Sequence, residues 1–145
     1  MLDLFSVLYA SYLLVTPVQG SVAAYQAQQA RSELATAEQV ARAIGDDIGA
    51  YYLLNKRIPA DLKQAGYSKP LPDMIDSVQI RERDGILRVN MKDERFAGGG
   101  LIFNPSLTEG GSIQWRCSGV RLPWYWLPAS CQAYRPTAQP GAAAP

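Results

Sequence analysis

The chain has 145 residues, 48% hydrophobic and 19% charged, with a net charge of +1 and no histidine. That is enough chain for one core plus an appendage. The near-zero charge leaves no global field to recruit nucleic acid or lipid, and the missing histidine removes the commonest general base and transition-metal ligand.

Leu4 to Ala30 contains no charged residue. Its apolar heart runs from Leu4 to Val15, Thr16-Pro17 follows, and a milder stretch extends from Val18 to Ala24. Three readings compete. A secretory signal peptide wants a basic start, where Asp3 stands instead. A core helix rarely opens a soluble domain with so uniform a stretch. The preferred reading is a membrane anchor that continues into a longer helix, since the two stretches together approach the ~20 residues that span a bilayer. Pro17 is the natural place for a kink.

Leu34, Ala37, Ala41, Ile44, Ile48 and Tyr51 then fall three and four apart, one apolar helix stripe suited to lying on a sheet. Glu38 and Arg42 are placed as a favourable i,i+4 pair away from it. Gly45 and Gly49 each weaken the helix by about 1 kcal/mol relative to Ala, so packing must hold it there. Asn55 and Pro59 end it. A helix from about residue 2 to 55 would be roughly 80 Å long, so only its second half can belong to a globular domain.

Beyond a Pro-rich connection from Pro59 to Pro72 the period changes to two. Strands are expected over Ser77–Arg83, Ile86–Met91, Leu101–Phe103 and Ser112–Cys117. Asp84-Gly85 reads as a two-residue hairpin turn, Asn104-Pro105 as the stop of the third strand, and Glu109-Gly110-Gly111 as the turn into the fourth. Four short consecutive strands make an antiparallel sheet. The expected fold class is therefore α+β, a long N-terminal helix on a four-stranded antiparallel sheet with a C-terminal disulfide-bounded loop.

Cys117 and Cys131 are the only cysteines, fourteen positions apart. A structural disulfide made in an oxidising compartment is the favoured reading. A metal half-site or redox pair would want histidine or a CxxC spacing. No GxSxG, HExxH, P-loop or GxGxxG pattern occurs, and the Asp46-Asp47 and Asp93-Glu94 pairs read as solvated faces. No catalytic residue, metal or cofactor is expected, and the chain is not read as an enzyme.

After Glu109 there is no acidic residue, while Arg116, Arg121 and Arg135 remain. Trp124, Tyr125 and Trp126 lie between the cysteines. Arginines beside aromatics can pair with phosphates and stack on bases, so Arg116, Arg121, Trp124, Trp126 and Arg135 are a possible DNA- or surface-binding set. The competing reading is that the aromatics plug the loop onto the sheet. Residues 135–145 are Pro- and Ala-rich and read as a flexible tail.

Several stretches resemble type IV pilins. They are Ala24-Tyr25-Gln26 after the hydrophobic segment, Tyr51-Tyr52-Leu53-Leu54-Asn55 followed by Pro59, Gly98 to Pro105, and Gly110 to Cys117 with Leu127-Pro128-Ala129-Ser130-Cys131. The likeness spans roughly residues 20 to 134. It departs at the N-terminus: Ser6 stands at the family's Glu position, Ala23 replaces its proline, and its basic leader ending in Gly has no counterpart. The resemblance implies a hydrophobic segment 1–24, a pilin-like domain 25–134, and a filament subunit held in the bacterial inner membrane before assembly and then displayed extracellularly. Its partners would be like subunits, in an appendage for adhesion, motility or DNA uptake. The alternative it implies is a minor DNA- or surface-binding subunit using the basic aromatic loop.

Overall fold

A computed structural model describes residues 2–132, with side chains described from Val22 onward. Residues 1–21 of segment 1–24 and the tail 135–145, Arg135 included, lie outside the described side chains.

Helix α1 (Leu2–Asn55) is one continuous element of 54 residues. It ends where its last carbonyls are met locally. The Asn55 amide donates to the Tyr51 carbonyl at 3.0 Å, and Lys56, at φ 60°, donates its N–H to Tyr52. Four strands follow, β1 (Ile75–Ile80), β2 (Leu87–Met91), β3 (Gly100–Leu107) and β4 (Ile113–Val120). They form an antiparallel meander in the order β1-β2-β3-β4. A short helix, α2 (Leu62–Ala65), interrupts the Pro-rich connection; Asp61 caps it and Gly66, at φ 94°, closes it.

One face of the sheet is apolar and meets α1. Leu87, Val89, Leu101, Phe103 and Cys117 alternate inward and are buried, and register places Leu87 opposite Phe103 and Phe103 opposite Cys117. The helix contributes Ala30, Leu34, Ala37, Ala41, Ile44 and Ile48, all buried. Tyr51, the last of the anticipated stripe, is half-buried, and its hydroxyl accepts from Arg57 Nε at 3.3 Å. Gly45 and Gly49 share the buried face. A Cβ on Gly45 would stand 2.9 Å from the Trp115 indole, and one on Gly49 would touch Ile113. The glycines therefore admit two bulky β4 side chains, which offsets their poor helix propensity.

Several expectations are corrected. The β1–β2 connection is not a two-residue turn: Arg81 N–H bonds the Ile86 carbonyl at 2.9 Å across a four-residue loop, Glu82 to Gly85. Gly85 takes φ 78° and the Asp84 carboxylate accepts from the Ile86 N–H. Asn104-Pro105 does not stop β3, which continues to Leu107. Past Phe103 that strand has β4 as a partner but no longer β2, so the N–H that Pro105 lacks is not needed on the open side. β1 starts two residues early with a register shift between Ile75 and Ser77, and ends at Ile80 rather than Arg83. β4 begins at Ile113 and extends three residues beyond Cys117.

Candidate functional site

The C-terminal loop is built on the middle of β4. Cys117 is bonded to Cys131 with a Cα–Cα distance of 4.5 Å, and both are buried. Between them the chain turns at Arg121 (φ 57°), makes a single 3₁₀ turn at Trp124–Trp126 and another at Ala129–Cys131. The Gln132 amide holds the first turn by donating to the Trp124 and Leu127 carbonyls at 3.1 and 2.9 Å. Leu127 packs so closely over Gly119 that a Cβ there would lie 2.7 Å from it.

Helix α1 pins this loop with polar side chains. The Arg31 guanidinium reaches the Tyr125 carbonyl at 3.5 Å. The Glu38 carboxylate accepts from the Ser130 hydroxyl and from Arg42, at 2.8 and 3.0 Å for the latter. Arg42 in turn donates to the Trp115 carbonyl at 3.5 Å and lies 5.7 Å from the centre of the Phe103 ring. One turn toward the N-terminus, Glu33 pairs with Arg95, whose guanidinium also reaches Gln29 and covers the Phe96 ring at 5.0 Å.

The anticipated binding residues are dispersed by this architecture. Trp126 stands edge-on to buried Phe96 at 5.8 Å, which is the plugging role. Trp124 is half-buried, edge-on to Tyr125 at 5.8 Å. Tyr125 and Arg121 are exposed. Arg116 alternates with buried Cys117 on β4 and so belongs to the opposite, outer face of the sheet. Arg135 lies outside the described residues.

Glu38, Cys117 and Cys131 bring their ligand atoms within 4.8 Å of one another. Each sulfur is bonded to the other, so neither offers the thiolate a metal needs. Elsewhere, an apolar cleft of about 180 Å³ lies between the end of α1 and the β3–β4 tip, lined by Gly49, Tyr52, Ile58, Pro105, Leu107 and Trp115. Asp84 lies at its edge, its carboxyl held down to about 2 chiefly by the hydrogen bond from Arg81, which raises the guanidinium in turn.

Sequence reasoning missed the long-range ties. Arg95 and Glu33 are separated by 62 residues, and no local spacing connects them. Gly45 and Gly49 signal a close approach to the helix, although they do not name Trp115 and Ile113 as the residues approaching.

No protein-family model matches the chain, and no curated protein matches it.

Proposed function

We propose that the chain is a structural subunit of a type IV pilus-like filament, assembling through the first half of α1. The observation that supports this reading most is that the helix outruns its sheet. The element begins at Leu2, and among its described side chains, from Val22 onward, the first buried one is Ala30. The stretch from Leu2 to Gln29 corresponds to roughly 40 Å of helix. In its described part, Val22 is 54% and Tyr25 66% exposed. Nothing in the sheet covers these residues, and the charge-free sequence before them is unsuited to standing in water. Among the described residues no helix is long and apolar enough to cross a membrane, and most of the charge-free segment lies before Val22, where the described side chains begin.

In this reading the inner membrane holds the segment before assembly. Copies of the chain bundle it afterwards, with the sheets outward and the disulfide formed outside the cytoplasm. The proposal is tested by comparing the full chain with one starting at Gln26. The shortened chain should be monomeric by sedimentation and unfold cooperatively. The full chain should form filaments visible by negative-stain microscopy once detergent is removed. A shortened chain that does not fold, or a full chain that stays monomeric without detergent, would refute the assignment.

A further inference from the structure

The face of the sheet turned away from α1 is polar and poor in carboxylates. The four strands together carry two arginines, Arg88 and Arg116, and one acidic residue, Asp76, which sits at the register shift of edge strand β1. Register puts Gln79, Arg88, Ile102 and Ser118 in one row across this face. Ser77, Asn90, Gly100 and Val120 form the next row, and Asn104 and Arg116 lie in the row on the other side. A shallow trough of about 650 Å³ runs over it, lined by Gln79, Arg81, Ile86, Arg88, Ile102 and Val120.

Arg88 is held in place within this trough. Its Nε donates to the Asn90 side-chain oxygen at 2.7 Å, and the Asn90 amide donates to the Ser77 hydroxyl at 2.9 Å. Arg42, Arg81 and Arg95 each face a carboxylate; among the described residues Arg88 does not. Its guanidinium is thus oriented, half-buried and without a counter-charge, beside aliphatic Ile102 and the amide of Gln79.

We propose that this outer face binds an acidic polysaccharide of the uronate type. The Arg88 fork matches a sugar carboxylate bidentately, the Gln79, Asn90, Asn104 and Ser118 side chains match ring hydroxyls, and Ile86, Ile102 and Val120 match the C–H faces of the rings. An open trough suits a polymer chain rather than an enclosed small molecule. With Arg81 already paired to Asp84, Arg88 and Arg116 cannot supply the several phosphate contacts that hold duplex DNA at physiological salt. The inference stands apart from the filament reading, since the face exists on a single subunit.

The full-length protein in detergent is titrated calorimetrically at low salt with oligogalacturonate, neutral dextran and duplex DNA. Oligogalacturonate should bind and dextran should not. Arg88→Gln should weaken binding by about tenfold or more, and Arg88→Lys, which keeps the charge but loses the planar fork, by a smaller factor. Unfolding temperatures of both variants should match the parent; where Arg88→Gln lowers it, the comparison rests on Arg88→Lys. Absence of oligogalacturonate binding, equal affinity in both variants, or equal binding of dextran would overturn the proposal. Arg88-dependent binding of DNA without the glycan would overturn it in favour of a nucleic-acid partner.

Discussion

Two lengths of α1 lie end to end and meet opposite conditions. From Val22 to Gln29 the side chains are exposed except for half-buried Ala27, and the two largest apolar ones, Val22 and Tyr25, stand in solvent. From Ala30 to Ile48 the inward positions are buried, yet most are small: Ala30, Ala37, Ala41 and Gly45 beside Leu34, Ile44 and Ile48. Apolarity alone does not separate the two lengths. What separates them is a sheet that brings its own bulk, Phe103, Leu101, Leu87 and Trp115, and needs a smooth helix surface to approach. The buried length is shaped for a partner already in the chain, and the exposed length has none among the described residues.

The comparison breaks most severely at Ile44 and Ile48. Replacing either by Asp places an unpaired charge against the sheet, costing several kcal/mol and with it the fold, whereas Asp46→Ala on the exposed face should be near-neutral. Circular-dichroism melts of the full chain in detergent check this, and equal melting of Ile44→Asp and Asp46→Ala would contradict the assigned faces. Removing the disulfide by Cys117→Ser with Cys131→Ser comes next. The bridge spans 14 positions, and the chain-entropy estimate for such a loop is roughly 3 kcal/mol. Non-reducing mass spectrometry should find no alkylatable thiol in the parent protein.

Gly45→Ala sharpens the contrast more finely. It gains about 1 kcal/mol of helix propensity but drives a methyl into the Trp115 ring, and overpacking costs about 1–3 kcal/mol. A net loss of about 1 kcal/mol is expected in denaturant titration, reversed when Trp115→Leu is added. An Ala variant more stable than the parent would show that Trp115 moves aside freely. The smallest effect is at Asp84. Its carboxyl titrates at about 2 in the folded chain, below the ordinary value of about 3.9. A depressed value means its contribution is present above that ordinary value and is lost as pH falls through about 2. Because the pair with Arg81 is on the surface, the effect is small and screened by salt. Asp84→Asn should lower the melting temperature slightly near neutral pH and not at about pH 2.

Much of this architecture was legible in the residues. The three-and-four spacing from Leu34 to Ile48 and the alternation through Leu87, Val89 and Met91 are local consequences of helix and strand geometry, and one buried face suffices to write them. The misreadings share a different cause. Pro105 ends a strand only if both edges are in use, and whether β2 reaches that far is a fact about another segment. Asp84-Gly85 signals a turn, but its length is set by where Ile80 and Leu87 pair. The residues of the proposed binding set are spread apart for the same reason. Sequence places Arg116 beside Cys117, while the strand's pleat sends them to opposite faces, and Phe96, which takes Trp126, is 30 residues away.

The ties from α1 to the loops have a mechanical consequence. Glu33 to Arg95, Arg31 to the Tyr125 carbonyl, Glu38 to Ser130 and Arg42 to the Trp115 carbonyl are strung along less than three and a half turns of helix. A pull along the helix axis loads them side by side, together with the interlocked Gly45–Trp115 contact, so the helix must slide past all of them at once. A pull that peels the sheet away from one end meets them in sequence. The domain is therefore expected to resist axial tension far better than peeling, with the Cys117–Cys131 bond keeping the loop that receives two of those ties from paying out as slack.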